Sequence, residues 1–184
     1  MDKLQKRFKL NIRTITLLSI MVSLSTVLGF IKIYTLPQGG DVTLGSMVPI
    51  IFMSMVFGVP YGMFAGFLFG LLNLILDPHI YYPVQVLLDY FLAFTFLGIG
   101  GIFKKNKILA ATISIFARFI CHVLSGVIFF SSYANGQNSI LYSVIYNGSY
   151  LGIELIITIV ILYFLPIDRF KKIIFKNKII EPRL

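Results

Sequence analysis

Residues 85–107 read QVLLDYFLAFTFLGIGGIFKKNK: nineteen residues carrying a single charged side chain, Asp89, and then Lys104, Lys105 and Lys107. A spanning helix needs ~20 mainly apolar residues, and cytoplasmic loops are enriched in lysine and arginine. The stretch therefore reads as a membrane helix ending on the cytoplasmic side. That direction puts Asp89 about one turn inside the outer end, with Gln85 one turn above it on the same face.

Working outward, five more apolar segments are drawn at 11–31, 45–57, 60–76, 108–131 and 141–165. The second and third are short and are divided at Val59-Pro60, where proline suits the first turn of a new helix; one long bent span over both is the alternative. The chain is 184 residues long, 58% hydrophobic and 12% charged, with a mean hydropathy of +0.90. Soluble domains are about one-quarter charged, so no soluble domain fits beside six spans. The reading is a single integral membrane domain over 1–184, with short basic cytoplasmic ends.

The net charge of +9 does not point to nucleic acid. The basic residues sit in three clusters flanking apolar segments: Lys3, Lys6, Arg7, Lys9 and Arg13; Lys104, Lys105 and Lys107; and Arg169, Lys171, Lys172, Lys176, Lys178 and Arg183. All three fall on one side of a membrane only with six spans and both termini cytoplasmic. The apolar run after Arg13 is too long for a signal-peptide core and lacks a small-residue cleavage site, so the first helix is expected to be retained. Cys121 is the single cysteine, which excludes a disulfide framework or thiolate metal site. The outer connections, 32–44, 77–84 and 132–140, are rich in turn formers and hydrogen-bonding groups.

The expected architecture is an all-α membrane protein, a compact bundle of six transmembrane helices with a ligand pocket near the extracellular side. Asp89 on the fourth span, His122, Ser125, Gly126 and Phe130 on the fifth, and Tyr142, Tyr146 and Asn147 on the sixth all fall at one outer depth. Ionisable groups inside a membrane are costly enough to mark function by default. Bland readings stand beside this one: Tyr142 as an interface-belt residue, Phe130 as packing, His122 as a hydrogen bond to a neighbouring helix, and Arg118 as a structural cation with Glu154 available to pair with it. Asp89 has no lysine or arginine near it in sequence, and a cationic ligand is one partner for it. A carboxylate, aromatic faces, an amide, phenols and an imidazole suit a flat, partly cationic heteroaromatic molecule, and Gly126 permits close approach.

Glycine recurs at Gly58, Gly62, Gly66 and Gly70, one face of the third span, where it lets another helix come close. Ser19 and Ser23 form a milder small-residue pair on the first span, facing either a neighbour within the chain or a partner subunit. No phosphate loop, HExxH, cysteine–histidine pattern or GxSxG elbow occurs. Neither enzymatic chemistry nor ATP hydrolysis is supported, and no cofactor is expected.

Pro37-Gln38-Gly39-Gly40-Asp41-Val42-Thr43-Leu44 with Met47-Val48-Pro49, Leu88-Asp89-Tyr90 with Ala93-Phe94 and Leu97-Gly98, Arg118-Phe119 with His122, Ser125 to Phe130, and Asn138-Ser139 with Tyr142-Ser143 and Tyr146-Asn147 together resemble the thiamine-specific substrate-binding component of energy-coupling factor transporters. The resemblance spans roughly residues 19–154. It implies a six-helix fold that captures thiamine from outside and docks on a membrane-embedded coupling subunit carrying two ATPases. Asp89 matches an acid, usually glutamate, that engages the vitamin. Tyr90, His122, Gly126, Tyr142 and Asn147 match other pocket positions, and Phe130 stands where a tryptophan often stacks. Ser19 and Ser23 fall in the stretch that contacts the coupling subunit. Binders of another vitamin or precursor, such as hydroxymethylpyrimidine, a stand-alone secondary transporter and, more remotely, an intramembrane enzyme are the rival readings.

Overall fold

The computed structural model describes residues 11–176; the outermost basic residues, Lys3, Lys6, Arg7, Lys9, Lys178 and Arg183, lie outside them. The elements in chain order are α1 (Ile12–Phe30), strands β1 (Lys32–Thr35) and β2 (Asp41–Thr43), α2 (Val48–Phe57), α3 (Val59–Leu76), α4 (Pro83–Phe103), α5 (Lys107–Phe129), α6 (Ser139–Phe164) and α7 (Ile167–Lys176), with a short 3-10 turn at Ser131–Ala134. Five helices, α1 and α3 to α6, are long and apolar enough to cross a membrane, and α2 is a shorter apolar helix.

Local sequence sets the helix starts. Asn11, Asn106 and Asn138 cap α1, α5 and α6, each side-chain oxygen accepting a first-turn backbone N–H. Proline occupies the first turns of α2, α3 and α4. Gly58 joins α2 to α3 with φ 108°, a conformation that side chains resist, so the expected break at Val59-Pro60 is a true helix–helix junction. All ten residues of α2 are buried, so this helix forms the centre of the bundle rather than a lipid-facing wall.

Two features depart from the expected all-helical pattern. The connection between α1 and α2, expected as a loop, holds an antiparallel hairpin in which β1 pairs with β2, Thr35 opposite Asp41. The basic stretch after α6 contains α7, whose Phe170 and Phe175 pack edge-on against Phe52 and Phe57 of α2.

The α4 helix is irregular. A π-helical turn covers Leu87–Leu92, and 3-10 geometry covers Phe96–Phe103. The glycine face of α3 explains how it is seated. A methyl group on Gly66 would overlap the Phe94 carbonyl, one on Gly70 the Tyr90 carbonyl, and one on Gly62 would meet Ser54 and the Gly98 backbone. The stripe is therefore internal packing, with backbone set against backbone. On its other side α4 is tied to α5, where Ser114 Oγ donates to the Leu97 carbonyl at 2.7 Å and accepts from Gly100 N at 3.0 Å.

Candidate binding site

A polar cavity of about 140 Å³ opens at the end of α4 opposite its lysines. Asp89, Tyr90, His122, Gly126, Phe130, Tyr142, Tyr146 and Asn147, the eight residues singled out from sequence, all line it. The π-helical turn carries the first two, and such turns recur at functional sites in helices. The hairpin turn, from Gln38 to Asp41, and the loop holding Asp77, His79 and Tyr81 close one side. These two segments touch, since a methyl group on Gly39 would run into the His79 ring.

Asp89 is the hub. One carboxylate oxygen accepts from Ser125 Oγ and from Gln85 Nε2, both at 2.8 Å, and the other lies 3.0 Å from His122 Nδ1. On the far side of the imidazole, Arg118 Nε–H donates to His122 Nε2 at 3.1 Å. A guanidinium nitrogen has no acceptor role, so Nε2 carries the lone pair and the proton sits on Nδ1, donating to Asp89. His122 is thus assigned as the neutral Nδ1–H tautomer by its partners. The Arg118 guanidinium also lies over the Phe94 ring, 4.2 Å from its centroid.

Two sequence expectations change here. Asp89 does not await a ligand for its hydrogen bonds, because three side chains already supply them. Glu154 does not pair with Arg118: it turns to the hairpin, where Oε1 accepts the backbone N–H of Thr43 and the Thr43 hydroxyl, the latter at 2.6 Å. The bland reading of His122 is half right, since it does bond to a neighbouring helix, but that bond orients the acid of the cavity.

The aromatic groups divide by task. Tyr142 and Tyr146 stack, with interplanar angle 21° and centroids 6.1 Å apart, and Phe130 meets Tyr81 edge-on at 5.2 Å. The Tyr90 hydroxyl accepts from His79 N at 2.7 Å and donates to the Asp77 carbonyl at 3.1 Å, pinning the second loop. The Tyr146 hydroxyl accepts from Gln38 N and Gly40 N, each at 3.2 Å, pinning the hairpin. Asn147 donates to the Ser143 carbonyl at 2.9 Å and accepts from the Tyr150 hydroxyl at 3.1 Å. The closest approach that Gly126 allows is between helices, since a methyl there would overlap Ser143 Oγ.

Residues 15–174 match the model of the family described as thiamine transporter protein. The chain belongs to that family. It is 32% identical over 165 residues to the thiamine transporter ThiT of Bacillus subtilis (strain 168), covering 79% of this chain and 85% of that one. It is 32% identical over 136 residues to the thiamine transporter ThiT of Lacticaseibacillus paracasei, covering 62% of this chain and 68% of that one. The solved structure of ThiT from Listeria monocytogenes superposes with a TM-score of 0.73 at 26% identity, over 86% of this chain and 96% of that one. This member of the thiamine transporter family is a multi-pass cell membrane protein and not an enzyme.

Other lining residues of this family member were not singled out from sequence: Asn73, Asp77, His79, Tyr81, Ser143 and Tyr150, with Arg118 considered only as a structural cation. The 77–83 loop announced itself only through its density of turn formers, a signal that does not distinguish a lid from a linker. Lys32 binds Asp41 at 2.8 Å and Asp77 at 2.6 Å, joining the hairpin to that loop. Burial alone would lower the Lys32 ammonium, but the hydrogen bonds and charges of Asp41 and Asp77 outweigh it and raise it above the ordinary lysine value. Ser19 and Ser23 lie on the exposed face of α1.

Proposed function

We propose that the protein is the thiamine-binding subunit of an energy-coupling factor importer, holding thiamine in the cavity centred on Asp89. The observation that carries this reading is the Asp89–His122–Arg118 chain beside stacked tyrosines, in a member of the thiamine transporter family. Thiamine is an aminopyrimidine joined to a thiazolium. Tyr142, Tyr146 and Phe130 offer ring faces, Asp89 offers negative charge to the thiazolium, and Asn147 offers its amide to the ring nitrogens, while Tyr90, whose hydroxyl proton goes to the Asp77 carbonyl, holds the second loop beside the site. Asp41 and Asp77 line the same cavity as Asp89 and Arg118; with Lys32 shared between the first two, three carboxylates face two cations, a balance that still favours a cation.

In this proposal six helices span the membrane with both termini cytoplasmic, α2 being the sixth and shortest. The cavity faces outside, because Lys104, Lys105 and Lys107 mark the opposite end of α4 as cytoplasmic. The hairpin and the 77–83 loop close over the bound vitamin. Import then needs a membrane-embedded coupling subunit with two ATPases, with the exposed Ser19 and Ser23 as part of the docking face.

Calorimetric titration of the purified protein with thiamine, its phosphates and its hydroxymethylpyrimidine half tests the assignment. Thiamine should bind at least about tenfold more tightly than the pyrimidine half if the carboxylate meets the thiazolium. Equal affinity for the two would assign the site to a precursor. Thiamine uptake into liposomes without ATPases would replace the subunit reading with a stand-alone transporter.

A further inference from the structure

Three residues on one stripe of α6, Tyr146, Tyr150 and Glu154, follow each other at four-residue spacing and meet the second half of the hairpin in order. Tyr146 takes the amides of Gln38 and Gly40. Gly40 rests on the Tyr150 ring so closely that a methyl group would collide with it. Glu154 takes both donors of Thr43, and the Thr43 hydroxyl in turn accepts Ser46 N–H at 3.2 Å. The first two lie at the cavity. Glu154 lies about 6 Å beyond Tyr150 along the helix and is only 2% exposed.

A carboxyl group in an apolar helix that does not line the cavity needs a reason to be there. The hairpin supplies one. Two-stranded hairpins are marginal alone, and β1 is exposed along its length, so the hairpin's position depends on what β2 and the turn touch. The Lys32–Asp77 pair is partly exposed, and such pairs hold little. Tyr146 holds the turn through Gln38 N and Gly40 N; at the root of the hairpin the buried Thr43–Glu154 contact is the anchor.

We propose that Glu154 is a positioning residue for ligand capture: it clamps the root of the hairpin onto α6, so that the turn from Gln38 to Asp41 closes the cavity. The proposal rests on the reading of that cavity as the ligand site. The clamp sets where β2 lies; Tyr146 then finds the amides of Gln38 and Gly40 within reach. Without the clamp the turn separates from Tyr146 and the ligand leaves sooner.

Hydrogen exchange of the full chain without ligand tests the clamp itself. Glu154→Ala should speed exchange over residues 36–44 by about tenfold, the scale of one charge-assisted hydrogen bond, with α5 unchanged. Glu154→Gln keeps an oxygen for Thr43 and should stay within about threefold of the wild type. Thiamine release, followed by displacement in stopped flow, should follow the same order: about tenfold faster for Ala, close to wild type for Gln. Thr43→Val removes the hydroxyl alone; it should fall between, and it replaces the alanine variant if that one does not fold. Wild-type hairpin exchange in a folded Glu154→Ala or Thr43→Val protein overturns the clamp. So does faster exchange spread equally over α5, or a loosened hairpin with unchanged thiamine release. A wild-type protein that does not bind thiamine sinks the functional reading instead, and the exchange pattern still decides the clamp.

Discussion

The guanidinium of Arg118 and the imidazole of His122 form a fixed donor–acceptor pair, Nε to Nε2 at 3.1 Å, one helical turn apart on α5. The pair fixes which face of the imidazole reaches Asp89, and because Arg118 also stacks on Phe94 of α4, it locks two walls of the cavity together. Arg118→Met should therefore keep the fold but free the imidazole to change tautomer and rotate. Thiamine affinity should drop by about tenfold, near 1.4 kcal/mol. Arg118→Lys should restore little, since an ammonium lacks the planar fork and stacking face. Calorimetry on both variants checks this, and full recovery by lysine would show that charge alone matters.

Asp89→Asn tests the hub. One Asp89 oxygen accepts from both Ser125 and Gln85 while the other takes His122. An asparagine amide presents a donor on one side and leaves at least one of those groups facing it. Loss of a charge-assisted hydrogen bond costs about 1.5 to 3 kcal/mol, or about ten- to a hundredfold in affinity. The loss should be larger for thiamine than for its uncharged pyrimidine half. Unchanged thiamine affinity in the purified variant would remove Asp89 from the site.

Much of the site was legible because polar groups in apolar helices have few places to go. Asp89, His122, Tyr146 and Asn147 converge simply because each helix must turn its costly residues inward, and charge at the loops ordered their depth. The wrong partner for Arg118 shows the limit. Helical spacing places Arg118 and Glu154 each on an inward face, but the choice between His122 and Glu154 depends on how far α5 and α6 are offset along their axes, which no local pattern encodes. The hairpin was missed for a similar reason. Its strands are four and three residues long, too short for an alternating pattern, and its place comes from contacts to Tyr146 and Glu154 more than a hundred residues away. The short α2 was visible as an apolar segment, but its complete burial follows from packing, not from composition.

Gly66→Ala should be among the most damaging conservative changes in the bundle. The added methyl meets the Phe94 carbonyl, part of a backbone that cannot rotate away. Overpacking of this kind costs about 1 to 3 kcal/mol, and here it pushes α4 away from α3 beside the turn that carries Asp89. A lower melting temperature in detergent, together with weaker thiamine binding, is expected. Gly152→Ala, where no atom lies within 4 Å of the new methyl, is the control and should change neither.

Lys32 gives the two loops beside the cavity a salt- and pH-dependent tie. Its ammonium bridges Asp41 of the hairpin and Asp77 of the neighbouring loop, and those carboxylates raise it despite the opposing effect of burial. A raised folded-state value means that the bridge contributes fully below the unfolded lysine value of about 10.4 and is lost as pH climbs through the folded one. Across neutral pH, then, the tie is constant as far as Lys32 is concerned, and salt is the useful probe. Exposed pairs contribute about 0 to 1 kcal/mol, so Lys32→Met should speed thiamine release by about fivefold or less. Raising ionic strength to 1 M, where the Debye length is about 3 Å, should speed release from the wild type but not from Lys32→Met. Equal salt sensitivity in the two would show that the bridge does not govern closure.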